Sequence, residues 1–237
     1  MRIQTFPTLI INFDDTYIYQ PQILSLGRVI DLRDISQVRY LCSYEKLEIL
    51  KKLIPVRFRG IKFLGKSDFH YVSYLFLREI EEPFDLIVMD HHLDFMDTFE
   101  GYISCGSWVK ESLKLENLKR IFIISDDNTS TTFVNSKIFV LENNPLLLKK
   151  LLKDFPVYIS MDKDIVRKDY LNTNWEQGSF TLEDIINILS LLIQHKILGV
   201  DICGEPDFNL IEYKKSEYIN LKIWETINRE QEIRFTA

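Results

Sequence analysis

Asp90-His91-His92-Leu93-Asp94 is the segment of this chain best equipped for chemistry. It follows directly on the apolar run Leu86–Met89, which reads as a strand, so its acids and imidazoles fall at that strand's C-terminal end. In an open parallel sheet this is the edge where ligands bind. With the backbone extended, Asp90, His92 and Asp94 point to one side and His91 and Leu93 to the other. Carboxylates that converge in this way repel one another and hold protons. A divalent cation removes the conflict by keeping carboxylates and imidazole deprotonated. The plain alternative is a solvated polar turn. Ser160-Met161-Asp162-Lys163-Asp164 repeats the pattern after Val157–Ile159, with Asp162 and Asp164 alternating and Lys163 facing away from both. A third segment, Gly65-Lys66-Ser67-Asp68-Phe69-His70, follows the run Ile61–Leu64 and opens a helix, so His70 could ligate an ion from the start of that helix. The combined set, rich in oxygen and containing histidine, suits Mn²⁺ or a similar first-row ion.

The elements that must position these residues alternate. Strands are expected at Ile61–Leu64, Asp85–Met89, Ile121–Ser125, Lys137–Leu141, Val157–Met161 and Ile197–Cys203. Helices are expected at Lys46–Ile54, Tyr71–Ile80, Ser107–Leu115, Pro145–Lys153, Leu182–Lys196 and Lys215–Arg234, with Thr181 and Asp184 spaced as a capping box. Continuously apolar strands separated by helices imply an α/β fold with a mostly parallel sheet and right-handed crossovers. Residues 1–45 read as a β-rich N-terminal extension, with Thr8–Phe13 and Thr16–Tyr19 flanking a hairpin turn at Asp14-Asp15. With no repeat and no Gly/Ser/Pro linker, residues 1–237 read as a single domain.

Composition narrows the function. The 237 residues are 46% hydrophobic and 27% charged, enough for a sizeable core, which excludes disorder as the main state. A net charge of −6 without a Lys/Arg cluster argues against a nucleic-acid partner. No apolar run is long enough to span a membrane, and Met1-Arg2-Ile3-Gln4 opens no signal peptide, so a cytoplasmic protein is the expectation. The three cysteines are too few and too scattered for a disulfide scaffold. Of only four histidines, His70, His91 and His92 fall in or beside the candidate site.

Asp90/His92/Asp94, Ser160/Asp162/Asp164 and the earlier His70 reproduce, in order and approximate spacing, the Asp-x-His-x-Asp and Ser-x-Asp-x-Asp motifs of the arginase/agmatinase (ureohydrolase) superfamily. The chain resembles a short, divergent member over about residues 65–205. The resemblance implies a three-layer α/β/α sandwich and two Mn²⁺ ions, with Zn²⁺ or Fe²⁺ as alternatives. One ion would be held by His70, Asp90, Asp94 and Asp162, the other by Asp90, His92, Asp162 and Asp164. It further implies hydrolysis of a non-peptide C–N bond in a small cationic guanidino or amidino substrate, or an arginine-like side chain, by a metal-bridged hydroxide. The alternatives are an amide deacetylase on the same scaffold and a metal-binding member without turnover.

The departures from the family pattern define further expectations. Phe69 separates Asp68 from His70, where the family has the two adjacent. Cys105, in Ser104-Cys105-Gly106-Ser107, stands where many members carry a proton-shuttling His. Its place before a helix would lower the thiol pKa, and the plain alternative is a small buried residue. Glu205 would correspond, one position displaced, to the Glu that holds the guanidinium. Trp175 could wall a substrate pocket. The closing helix, with Glu225, Arg229, Glu230 and Glu232, is a candidate solvated or subunit-contacting face, which leaves a homo-oligomer open.

Overall fold

A computed structural model describes residues 6–126, 133–152 and 155–236. In chain order the strands are β1 (Thr8–Asn12), β2 (Arg28–Asp31), β3 (Leu41–Ser43), β4 (Ile61–Phe63), β5 (Phe84–Met89), β6 (Tyr102–Ser104), β7 (Leu118–Ile124), β8 (Phe133–Asn135), β9 (Ile138–Leu141), β10 (Val157–Asp162) and β11 (Ile197–Cys203). The helices are α1 (Pro21–Leu24), α2 (Tyr44–Leu53), α3 (Ser73–Leu77), α4 (Trp108–Ser112), α5 (Pro145–Leu151), α6 (Leu182–Leu192) and α7 (Leu210–Thr236).

Among the described residues, nine strands form one sheet in the order β2-β1-β4-β11-β10-β5-β7-β9-β8. Every pairing in it is parallel except β8 with β9. The central strands are apolar on both faces because each face is covered. Leu86 and Val88 of β5, with Ile121 and Ile123 of β7, pack into a core that includes Leu47 and Leu50 of α2, α3 and Trp108 of α4. Ile87 and Met89, with Phe122 and Ile124, face the opposite core, which is closed by α5, α6 and α7. The result is the expected three-layer α/β/α sandwich. No helix among the described residues is long and apolar enough to cross a membrane.

The expected capping box is present: the Thr181 hydroxyl accepts from the Asp184 amide at 3.1 Å, and the Asp184 carboxylate accepts from the Thr181 amide at 2.9 Å.

The N-terminal hairpin is not formed. Asp14 caps a turn of 3-10 helix over Asp15–Tyr19, and Pro21 then opens α1, so the chain crosses over before β2. β2 therefore pairs parallel to β1, and both strands belong to the main sheet. An Asp beside Thr is as good a helix N-cap as a turn former, and tertiary packing decided between them. The helix expected over Tyr71–Ile80 is also shorter. A 3-10 stretch over Ser67–Val72 precedes α3, and all six of its residues are buried. Asp127 and Asn128, Lys153 at the end of the helix expected over Pro145–Lys153, and the side chains of Arg229, Glu230 and Glu232 lie outside the described residues.

Candidate metal centre

β4, β5, β10 and β11 are consecutive in the sheet apart from order, and their C-terminal ends deliver the candidate residues to one place. Beyond β4, Gly65 takes φ +91° and turns the chain into the 3-10 segment that buries His70 at 1% exposure. Beyond β5 the extended backbone does not persist. The strand ends at Met89, and Asp94 reaches φ +50°, a left-handed conformation that folds the loop back over the site. Asp162 is the last residue of β10, paired in register with Cys203 of β11.

Three carboxylates converge on His70. Its Nδ1 lies 3.2 Å from Asp90 Oδ2, 3.2 Å from Asp94 Oδ2 and 3.6 Å from Asp162 Oδ2. None of these contacts has hydrogen-bond geometry, and Nδ1 has no partner. The other ring nitrogen explains why. Ser160 Oγ donates to Asp201 Oδ1 at 2.6 Å, so at 2.9 Å it accepts from His70 Nε2–H. In the neutral ring that leaves Nδ1 with its lone pair facing three carboxylates, with the Cys203 thiol nearby. A cation among them satisfies all four groups, and a metal-bound histidine whose second nitrogen is tied down is the usual arrangement. The ligand atoms of His70, Asp90 and Asp94 lie within 4.8 Å of one another. A second group shares Asp90: Asp90, His92 and Asp164 are gathered within the same limit. His92 Nδ1 is 2.9 Å from Asp164 Oδ2. The six residues expected from sequence as ligands therefore come together, and the donor set fits a pair of divalent ions.

The electrostatics carry the same message. Burial and then the Asp94 charge push the Asp90 carboxyl up. Burial and then Asp164 do the same for Asp162. Burial and then Asp90 raise Asp164 to about 7. Hydrogen bonding to Asp164 and Asp90 raises His92 to about 11. Without a cation, the folded protein therefore holds protons that the unfolded chain has lost. For Asp164 this applies between 3.8 and about 7, and for His92 between 6.5 and about 11. Both groups have raised values, so their stability contribution is present at low pH and is lost as pH rises. In chelator, the melting temperature is expected to fall by several degrees from about pH 5 to about pH 9. With divalent metal, which binds the deprotonated groups, the trend is expected to reverse. Parallel pH series of thermal melts check both signs.

Several residues that sequence reasoning missed hold this arrangement in place. Trp108 Nε1 donates to Asp94 Oδ2 at 2.6 Å, and its ring packs 4.6 Å from that of His70. Ser67 Oγ donates to Asp162 Oδ1 at 2.9 Å. Asp68 is paired with Arg39 and accepts from Asn174 and Trp175, which anchors the 174–175 loop over the site. His91 turns away to Asp126, at 2.9 Å. A cavity of about 460 Å³ opens on the carboxylates, and Trp175 is in its wall with Leu93, Phe95, Met96 and Cys105.

Two expectations are corrected. Cys105 lines the cavity, but burial and then Asp94 push its thiol up to about 12; α4 is only five residues long and does not lower it. Glu205 does not face the cavity. It is fully buried and ion-paired with Lys163, and it accepts from Ser216 Oγ at 2.7 Å, Asn220 Nδ2 at 2.7 Å and Gln20 Nε2 at 2.5 Å. The cause is Gly204, at φ +85°, which swings the chain after β11. A Cβ there would collide with Asp162 Oδ1 and the Lys163 amide, so no larger residue fits so close to the site.

Comparisons with known proteins bear on the fold. No family model matches the chain. An uncharacterized protein of Thermotoga maritima is 35% identical over 215 residues, 90% of this chain and 86% of the relative. Among solved structures, the proclavaminate amidino hydrolase of Streptomyces clavuligerus superposes with a TM-score of 0.70 at 12% identity, covering 95% of this chain and 93% of that one. The agmatine ureohydrolase of Thermoplasma volcanium gives 0.67 at 16%, covering 99% and 93%. The Entamoeba histolytica arginase, in complex with L-ornithine, gives 0.64 at 12%, covering 96% and 100%. The chain has the ureohydrolase fold and belongs to one family with the Thermotoga protein. On this ureohydrolase scaffold the candidate centre lies where strand ends and crossover loops meet, the general position for a ligand in an open α/β sheet.

Proposed function

We propose that the protein is a metal-dependent hydrolase of a non-peptide C–N bond, acting on a guanidino or amidino group. One observation supports this above the others: the buried, partnerless Nδ1 of His70 among three carboxylates, beside a second ligand group that shares Asp90. His70, Asp90, Asp94 and Asp162 would hold one ion, and Asp90, His92, Asp162 and Asp164 the other. Two divalent ions would supply an acidified water and polarise the substrate carbon. The chain's own part is to hold and to exclude. Ser160 and Asp201 fix the His70 ring, Trp108 fixes Asp94, and Trp175 and Phe95 wall the cavity against bulk water. No Lys or Arg lines that cavity among the described residues, so nothing there would pair with a substrate carboxylate. An amidino group on a small apolar body suits the wall better than an amino acid does. At the rim, exposed Glu176 lies near His91 and His92 and offers an acid to a cationic group.

A second reading, metal binding without turnover, is favoured by Cys105, whose neutral thiol cannot relay a proton near pH 7. A panel of guanidines, amidines and acetylated amines, read for urea, ammonia and acetate, separates the readings. Release of urea from a guanidine or of ammonia from an amidine is expected, and Cys105→His is expected to raise the rate roughly 10²-fold or more, the usual worth of a placed general acid–base. Acetate alone would mean a deacetylase. Silence across the panel, in the parent and in Cys105→His alike, would mean a binding protein.

A further inference from the structure

We propose that Cys203 is a ligand of the ion on the His70 side, and that its thiolate makes that position favour Zn²⁺, Co²⁺ or Fe²⁺ over Mn²⁺. The inference rests on the metal-centre reading above and adds a donor to it. Cys203 ends β11 directly beside Asp162, and its side chain is fully buried. Its Sγ, an Asp162 carboxylate oxygen and a His70 ring nitrogen lie within 4.8 Å of one another. The thiol does not stand alone, because the partnerless Nδ1 of His70, at 1% exposure, points into the same space.

Asp162 Oδ2 is the focus of the argument. It accepts from Cys203 Sγ at 3.1 Å and lies 3.6 Å from His70 Nδ1. An ion held by that oxygen and that nitrogen competes with the thiol proton for the same lone pairs. The acceptors beside the Cys203 thiol, Asp162 and His70, are the groups the ion would engage, so the displaced proton leaves to solvent and the sulfur electron pair goes to the ion. One S–H bond breaks, one S–metal bond forms, and no electron is transferred. Soft thiolate donors select zinc and its neighbours, whereas an all-oxygen and imidazole set leaves manganese competitive. Cys105, the other cysteine near the centre, lines the cavity and belongs to none of the ligand groups.

The test uses the full chain stripped of metal and reloaded with cobalt(II) or zinc alone. Cobalt-loaded parent is expected to show an intense near-ultraviolet thiolate-to-cobalt charge-transfer band. The band is expected to persist in Cys105→Ser and vanish in Cys203→Ser. X-ray absorption at the zinc edge of the parent, which needs no variant to fold, is expected to show a sulfur neighbour at about 2.3 Å. In zinc–manganese competition, Cys203→Ser is expected to lose zinc preference by at least the roughly 10–100-fold that an outer partner of a ligand is worth. A parent that holds cobalt without the band, or zinc without sulfur, overturns the assignment and leaves the metal centre standing. Loss of the band in Cys105→Ser instead also overturns it. A parent that binds no metal overturns the centre itself.

Discussion

Asp162→Ala is expected to leave the purified protein with only traces of bound metal, where the parent holds close to two ions per chain by elemental analysis. Asp162 lies between the two ligand groups. Its Oδ2 faces His70 and Cys203, while its Oδ1 accepts from Ser67 and from the Asp164 amide at 3.0 Å. Removing it takes away a carboxylate that both ions would share, and with it the support of Asp164. Thermal melts give an independent measure. Saturation at about a thousand times the dissociation constant is worth about 4 kcal/mol, or about 10 °C for a chain of this size. The parent is expected to gain that much on metal addition and Asp162→Ala almost nothing. In chelator the order is expected to close or invert, because the variant removes one of several mutually repelling buried acids. Metal content in Asp162→Ala equal to that of the parent would sink the two-ion assignment.

The candidate centre was legible in sequence because its residues are local. Asp90/His92/Asp94 and Asp162/Asp164 each sit within five residues after an apolar strand, and strand ends of a parallel sheet share one edge. The central strands were legible for the same reason, through their unbroken apolar runs. What escaped depends on contacts far apart in sequence. Trp108 reads as helix core until Asp94, 14 residues earlier, is seen to accept from it. Cys203 reads as a strand residue until the register places it beside Asp162, 41 residues away. β6 is a three-residue strand with no periodicity to detect, yet its antiparallel pairing with β3, with the Cys105 amide donating to the Tyr40 carbonyl, sets one wall of the cavity. Glu205 was misread because spacing alone cannot report a φ of +85° at Gly204.

Lys163→Met is expected to be among the most destabilising single changes in the chain, and it tests the corrected role of Glu205. Lys163 and Glu205 are both at 0% exposure. Lys163 Nζ also donates to Ser216 Oγ at 2.5 Å and to Asn220 Oδ1 at 2.9 Å, and Asn220 reaches Gln20 at 2.9 Å, so α7 and the segment ahead of α1 meet on this network. Removing the cation leaves a buried carboxylate without its counter-charge, a loss of about 3–5 kcal/mol. At about 2–4 °C per kcal/mol, the melting temperature is expected to drop by about 10 °C or more. Adding Glu205→Gln to Lys163→Met neutralises the stranded charge and keeps a hydrogen-bonding oxygen, so it is expected to recover at least half of the loss. Glu205→Gln alone strands the ammonium instead and is expected to destabilise as well, with KM unchanged at temperatures where the variant stays folded. A carboxylate that held a cationic substrate would behave in the opposite way, since its amide variant would melt with the parent and show a raised KM. The double-mutant cycle decides between these outcomes by whether the two substitutions couple in stability. They are expected to couple strongly, because each leaves the charge that the other removes.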